Sequence, residues 1–233
     1  MEIIKLIEDV TNNSLLWSHK EFPFKAHLYP GHPRLAVVAG ENGSGKSLLV
    51  QILSFWCRKH HNASHIMVSI RERTGSGLDE MAAFRRSVMF GDETEESTGA
   101  ISVRVLDPAF NTLSSRIEEG KKTLLIFDEP ELGLSDSYAS AMGTYIAEKT
   151  CGLPELALGT VVVTHSRSLV ASLGTCLGRP PSFVKLGPKQ SLNTWLKGEK
   201  PRTVDQLLKL PKDAKQNWHK VKDILQELKK NAS

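Results

Sequence analysis

A glycine-rich segment early in the chain constrains the fold more than any other feature. Residues 40–47 read Gly-Glu-Asn-Gly-Ser-Gly-Lys-Ser and fit the pattern G-x-x-x-x-G-K-[ST] without a mismatch. An apolar run (35–39) precedes them and a helix-like stretch (48–53) follows, which is the strand–loop–helix setting that this pattern needs. Glycines let the backbone curl so that successive N–H groups point at phosphate oxygens, and the next helix adds its positive end. The sequence therefore predicts a triphosphate-binding loop.

The side chains of this loop predict how a nucleotide and a metal ion are held. Lys46 is expected to reach the β- and γ-phosphates, and the Ser47 hydroxyl is expected to hold Mg²⁺. The other residues expected to bind phosphate, largely through backbone N–H groups, are Gly40, Asn42, Gly43, Ser44, Gly45 and Leu48. The alternative is a glycine-rich turn with an incidental lysine.

An acidic motif argues against that alternative. Four apolar residues (124–127) precede Asp128 and Glu129, as in a strand that is buried on both faces of a parallel sheet. Asp128 at the end of such a strand is placed to order the Mg²⁺ shell, and Glu129 is placed to act as the general base for water. Read alone, the two acids also fit a solvated strand end.

A third apolar strand (160–164) ends in His165. A histidine at a strand end is usually a polar surface group. If this strand lies beside the other two, however, its tip faces the γ-phosphate, and we predict that His165 senses that group.

Together these three segments resemble the ABC-type ATPase superfamily, and most closely its soluble, non-transport branch related to RecF, SMC, Rad50 and OLD proteins. The resemblance covers roughly residues 30–175. It implies an α/β fold: a P-loop core with a mostly parallel sheet, a short signature arm and a C-terminal helical extension. It also implies ATP and Mg²⁺ as ligands, and a head-to-tail homodimer formed over two ATP molecules.

In such a dimer each site is completed by a signature loop from the other subunit. Ser97 and Gly99 match that loop and precede a helix predicted over residues 101–117. A hydroxyl and a helix N-terminus aimed at a γ-phosphate form a sensible arrangement. The alternative is an ordinary helix start, because Ser97 or Thr98 suits an N-cap.

The chain also departs from the family pattern. No glutamine lies between Gln51 and Gln190, so the usual glutamine loop is missing, and Arg71 is a weak candidate to replace it. Ser135 stands where many transporters have an aspartate. The candidates for an aromatic residue that stacks on adenine are Phe22, Phe24 and Tyr29.

Cysteine usage and the chain's start bear on its compartment. The three cysteines, Cys57, Cys151 and Cys176, are widely spaced and odd in number, which favours a reducing cytoplasm over a disulfide framework. No signal-peptide pattern and no membrane-spanning run is present. A zinc site is a remote alternative to a solvated helix end for one cluster: Cys57, His60, His61 and His65.

The C-terminal segment is basic. Residues 185–233 hold 12 Lys and Arg against 5 Asp and Glu, a net charge of +7, whereas the rest of the chain carries −3. We predict an ATPase domain over 1–181 and a strand and helical extension over 182–233 that packs on the same domain, with helices at 204–210 and from Pro211 to about Lys230. An apolar stripe on the last helix, Trp218, Val221, Leu225 and Leu228, either packs on the body or docks a partner, and the lysines opposite are solvated or meet phosphates.

The predicted function is Mg²⁺-dependent ATP hydrolysis by a homodimeric switch in DNA maintenance or anti-phage defence, with a separate effector chain and DNA as a possible partner. The alternatives are the nucleotide-binding subunit of an ABC transporter and a regulatory ATP sensor that binds partner proteins. About 50 residues separate Ser47 from Ser97. This gap is short for a transporter's arm, so no membrane contact is expected, and it excludes a long coiled coil.

Overall fold

The computed structural model describes residues 1–69, 97–198 and 201–231, and these residues form an α/β fold around one six-stranded sheet. The strands are β1 (Ala26–Tyr29), β2 (His32–Ala39), β3 (Ser64–Ser69), β4 (Thr123–Asp128), β5 (Ala157–Val163) and β6 (Pro181–Leu186). The order across the sheet is β1-β6-β2-β5-β4-β3. Only β1 runs antiparallel to its neighbour, so the predicted mostly parallel sheet is confirmed.

Helices cover both faces of the sheet. They are α1 (Ile3–Asn13), α2 (Lys46–His61), α3 (Thr98–Arg104), α4 (Leu106–Glu118), α5 (Asp136–Cys151), α6 (Arg167–Cys176), α7 (Leu192–Leu196) and α8 (Val204–Asn231). One hydrophobic core joins α1, α2 and α8 to one face, and a second core joins α4, α5, α6 and α7 to the other.

Strand β4 contains a continuous apolar run because it supplies both cores. In β4, Leu124 and Ile126 pack into the core under α1 and α2, whereas Leu125 and Phe127 pack into the opposite core. All four side chains are fully buried. This alternation with period two explains why a strand buried on both faces appears in sequence as a continuous hydrophobic run.

The sheet order brings the three sequence motifs together. Strand β5 lies between β2, which leads into the glycine-rich loop, and β4, which ends at Asp128. Because the three strands are parallel, their carboxyl ends meet at one edge, the position where α/β sheets bind ligands. The expected placement of the third strand beside the other two is therefore confirmed.

Two helix predictions differ from the structure. The single helix expected over residues 101–117 is two helices, α3 and α4, that meet at Val105. Pro108 explains the break, because it cannot donate to Arg104 O and its ring crowds that carbonyl. Conversely, the break expected at Pro211 is absent, and this proline lies inside the continuous helix α8.

The start of α8 carries a reciprocal cap. Gln206 N donates to Thr203 Oγ1 at 3.3 Å, and Thr203 N donates to Gln206 Oε1 at 3.0 Å. This capping box satisfies two backbone donors at the N-terminal end of the helix.

The C-terminal segment takes part in the main body. Strand β6 is an interior strand that pairs with β1 and β2, while a division of domains after residue 181 stays a prediction. In α8, Val221, Ile224 and Leu228 pack against the core beneath α1 and α2. The stripe predicted from the sequence is thus partly wrong: Ile224 replaces Leu225, and Trp218 is 54% exposed.

Three further predictions concern a replacement for the glutamine loop, a zinc site and membrane-spanning helices. Arg71, the candidate to replace the missing glutamine, lies outside the described residues. Cys57 is buried in a core, and no cluster of three metal-ligating side chains occurs in the described ranges. Within the same ranges, no helix has both the length and the apolar character needed to cross a membrane.

Candidate functional site

The glycine-rich loop links β2 to α2 and leaves the first turn of that helix open. Gly43 and Gly45 have φ values of +74° and +93°, a left-handed backbone that glycine adopts without strain. Leu49 N donates to Gly45 O at 2.9 Å, so the intrahelical ladder starts there. The N–H groups of Lys46, Ser47 and Leu48 precede that ladder and have no acceptor within the helix. The N-cap, Gly45, provides no side-chain acceptor, and the end of α2 therefore has the form of an anion-binding site.

Lys46 is held inside the curve of this loop. Its Nζ donates to Gly40 O at 3.0 Å and to Glu41 O at 3.1 Å, and the residue is 8% exposed. Burial lowers the pKa of Lys46 to about 8, although the carboxylates of Glu129 and Asp128 act in the opposite direction. The ammonium group is therefore near two acids and poorly hydrated. In such a setting its charge-assisted hydrogen bonds to a bound phosphate would be strong.

The register of the sheet aligns the acidic pair with the loop. Asp128 pairs with Val163 of β5, and Val163 pairs with Val38 of β2. Pairing continues past the strand end, because Glu129 N donates to Val163 O at 2.8 Å. Asp128 and Glu129 consequently line the same cleft of about 500 Å³ as the glycine-rich loop.

Most of the residues predicted to bind the nucleotide lie together in this cleft. Among the described residues, those that line it are Phe24, Asn42, Gly43, Ser44, Gly45, Lys46, Ser47, Leu48, Gln51, Asp128, Glu129, Ala214 and Trp218. Gly40 lies just beneath, at the end of β2, where an added Cβ would come within 2.4 Å of Ser44 Oγ. A side chain at position 40 would therefore displace the Ser44 hydroxyl.

Glu129 has an unusual backbone. Its φ is +53°, and the other non-glycine residue with positive φ in the described chain is Asn62, which ends a helix. A left-handed conformation costs a residue with a Cβ about 1–2 kcal/mol. Such strain is found mainly where a side chain must point in a particular direction, and here it turns the carboxylate toward the cleft and His165.

His165 lies against the acidic pair, with its Nε2 3.5 Å from Glu129 Oε1. Burial and the positive charge of Lys46 lower the pKa of His165, while Glu129 raises it. The imidazole is therefore neutral at pH 7. His165 lines a second cleft of about 560 Å³ that shares Asn42 with the first.

Glu131, which sequence reasoning did not select, positions His165. Its carboxylate accepts hydrogen bonds from Thr164 Oγ1 and, at 3.4 Å, from His165 N. Burial raises the pKa of Glu131, although the bonds from Thr164, His165 and Ser166 act against that rise. The contact ties the loop after β4 to the turn after β5. The signal in the sequence that could have identified Glu131 was its position two residues after Glu129.

A second buried lysine was also missed. Lys185 in β6 pairs in register with Ala39, next to the start of the loop, and is 2% exposed. Its Nζ donates to Leu186 O at 3.2 Å, and its charge lowers the pKa values of Lys46 and His165. The sequence placed this lysine in a basic extension, and only the insertion of β6 beside β2 brings it to the site.

The candidate signature residues lie elsewhere. Ser97 caps α3, because its Oγ accepts from Ala100 N at 3.3 Å, and Gly99 is buried against Gly133. Ser102 Oγ donates to Leu132 O at 2.8 Å and fastens α3 to the same loop. Neither Ser97 nor Gly99 is among the described residues that line the cleft, so a nucleotide in this chain's own loop does not account for them.

Two glycines with similar backbones allow the packing of α3 to be tested. A Cβ built on Gly133 (φ +82°) would lie 2.8 Å from Gly99 N, whereas a Cβ built on Gly120 (φ +75°) would have no heavy atom within 4 Å. Gly120→Ala should cost only the left-handed strain of about 1–2 kcal/mol. Gly133→Ala should cost about 1–3 kcal/mol more through overpacking. Urea denaturation measures both changes, and equal losses would mean that α3 does not pack closely on this loop.

Comparisons with known proteins add little. No protein-family model matches the chain, and no curated protein does. Among solved structures, the crystal structure of Cdc6p from Pyrobaculum aerophilum is similar over 74% of this chain and 42% of that chain, with 15% identity and a TM-score of 0.35. The chain thus spans less than half the length of that protein, and a likeness this weak says nothing about activity.

The fold of the described residues is more informative than these comparisons. A mostly parallel sheet, with the phosphate loop after an interior strand and a carboxylate pair two strands away, fits the fold of P-loop nucleoside triphosphatases. Membership of the ABC-type branch stays a prediction.

Proposed function

We propose that this chain binds ATP with Mg²⁺ and hydrolyses it to ADP and phosphate. The observation that carries the proposal is the cleft that brings Lys46, Asp128 and Glu129 to the open end of α2. Loop N–H groups and Lys46 neutralise the phosphates. Glu129 accepts the proton of the attacking water, and neutral His165 donates a hydrogen bond to the γ-phosphate.

The residues of the cleft also fit the metal ion. Ser47 and Asp128 present a hydroxyl and a carboxylate to the same cleft, and Mg²⁺ is commonly held by one or two such oxygens together with substrate phosphates. Bound there, Mg²⁺ would neutralise charge on the β- and γ-phosphate oxygens. The direct test is phosphate release from Mg-ATP by the purified chain, with EDTA as the control.

We further propose that the active form is an ATP-dependent homodimer. Support comes from Ser97, which is exposed at the start of α3 although the chain's own cleft does not use it. In a head-to-tail pair, this hydroxyl would complete the neighbour's site. ATP buried between subunits would stabilise the dimer by mass action.

The dimer can be tested with a hydrolysis-deficient Glu129→Gln protein. At protein concentrations on the order of tens of micromolar, this variant should elute as a dimer with Mg-ATP and as a monomer with Mg-ADP. A protein that stays monomeric with saturating Mg-ATP would contradict the homodimer.

Ser97→Asp probes the same interface. Aspartate is as good an N-cap as serine, so the helix should remain intact while a negative charge faces the neighbour's γ-phosphate. Ser97→Asn is the matched neutral control. Gly99 is not used for this test, because a side chain there would collide with Gly133. Mixing the Ser97→Asp and Lys46→Ala proteins should restore part of the ATPase activity, because one site of a mixed dimer is intact.

The biological role that we propose is a switch in DNA maintenance or anti-phage defence that acts on a separate effector chain. A regulatory sensor that binds partner proteins is the second candidate. The observation that favours it is the exposed apolar start of α8, formed by Val204, Leu207 and Leu208. ATP-dependent binding of duplex DNA that weakens steeply with salt would support the first role, and its absence would favour the second.

A further inference from the structure

The cleft of the proposed ATP site is lined by both charged and apolar side chains. Lys46, Asp128 and Glu129 are charged, while Phe24, Leu48, Ala214 and Trp218 contribute apolar surface. A nucleotide needs both, since its phosphates are charged and its base is flat and weakly polar. The apolar surface is therefore the place to look for the part of the site that recognises the base.

Helix α8 supplies part of this apolar surface. Ala214 lies over the phosphate loop, with its Cβ 3.6 Å from the position of a Cβ built on Gly43. Trp218 is four residues further along and lies on the same face of the helix. Both residues line the cleft together with the glycine-rich loop and the first turns of α2.

Trp218 has a free aromatic surface, whereas Phe24 is already used. The Phe24 ring lies against the loop, 2.7 Å from a Cβ built on Gly45, and makes an edge contact with Phe22 at 5.5 Å between centroids. Phe22 is buried in a core, and Tyr29 packs on Phe183 in the opposite core. Trp218 is 54% exposed, although the next two inward positions of its helix, Val221 and Ile224, are buried.

We propose that Trp218 is the base-stacking residue of this site and that α8 is the wall against which the nucleotide base packs. Val221 and Ile224 anchor the helix one and two turns beyond Trp218, so the indole is held at the cleft before the ligand arrives. The Arg202–Glu41 ion pair joins the segment before α8 to the phosphate loop. This inference rests on the proposed function and adds the residue that binds the base.

The test separates the base from the phosphates. Affinities for Mg-ATP and for Mg-tripolyphosphate are measured with the parent protein, Trp218→Ala, Trp218→Phe and the exposed α8 control Leu208→Ala. Stacking of a base on an aromatic ring contributes about 1–3 kcal/mol, so Trp218→Ala should weaken ATP binding by roughly 5- to 150-fold. Tripolyphosphate binding should stay within about twofold of the parent value, and Trp218→Phe should recover most of the loss.

The other outcomes are distinct. An equal loss for ATP and tripolyphosphate, or no loss for either, would overturn the stacking role while leaving ATP binding in place. Failure of the parent protein to bind both ligands would instead overturn the proposed function itself. Melting curves of the variants provide a check on folding, which exposed positions such as Trp218 and Leu208 should leave unchanged.

Discussion

Glu129→Gln is expected to slow ATP hydrolysis by about 10²–10⁴-fold while ATP affinity stays near the parent value, because a positioned general base contributes this much to the rate. The amide has the shape of the carboxylate but cannot accept the proton of water. The strained backbone at φ +53° is kept, because glutamine has the same Cβ environment. Single-turnover hydrolysis and equilibrium ATP binding are the two measurements.

A matched control tests whether the slower hydrolysis is specific to a carboxylate in the cleft. Glu148→Gln removes an exposed carboxylate of α5 and should leave hydrolysis unchanged. If the Glu129→Gln protein turned over ATP at the parent rate, Glu129 would not be the base. Glu131→Gln is unsuitable as a control, since its carboxylate holds the Thr164–His165 turn.

Lys46→Ala should act at the earlier step of binding. Lys46 is the buried cation of the phosphate loop, and its bonds to Gly40 O and Glu41 O show that Nζ reaches the inside of the curve. Hydrogen bonds to charged groups contribute about 1.5–3 kcal/mol each, so the loss of two such bonds to phosphate should weaken affinity by roughly 10²–10⁴-fold. Equilibrium dialysis with Mg-ATP or tripolyphosphate measures this loss.

The lowered pKa of Lys46 provides a test specific to that side chain. Since its pKa is about 8 before phosphate binds, the ammonium form predominates at pH 7 and is lost as pH rises through 8. Phosphate favours the charged form, so tripolyphosphate affinity of the parent protein should fall between about pH 7 and 9.5. The Lys46→Ala protein should lack this fall. A parent affinity that is constant over that range would contradict the assigned role.

Local sequence patterns were enough to predict much of the site. The pattern from Gly40 to Ser47 requires a tight glycine-containing turn before a helix, and the apolar run before Asp128 requires a strand buried on both faces. Both requirements are local, since they depend on backbone freedom and on side-chain polarity at neighbouring positions. The mostly parallel sheet was what the resemblance carried by these motifs implied, and the apolar run before Asp128 agreed with it.

Local sequence patterns could not predict contacts between segments that are far apart in the sequence. Lys185 and Trp218 come from a C-terminal segment for which the sequence predicted no part in the site. They reach it because β6 pairs beside β2 and α8 packs over the glycine-rich loop. Glu131 meets His165 through a side-chain contact that spans 34 residues.

The sequence by itself therefore determined which residue types the glycine-rich loop and the acidic strand end bring to the cleft, because those are set by local patterns at short spacing. The tertiary structure alone decided which residues surround them. Strand order and helix packing depend on the burial of two whole cores, and no short motif encodes that balance.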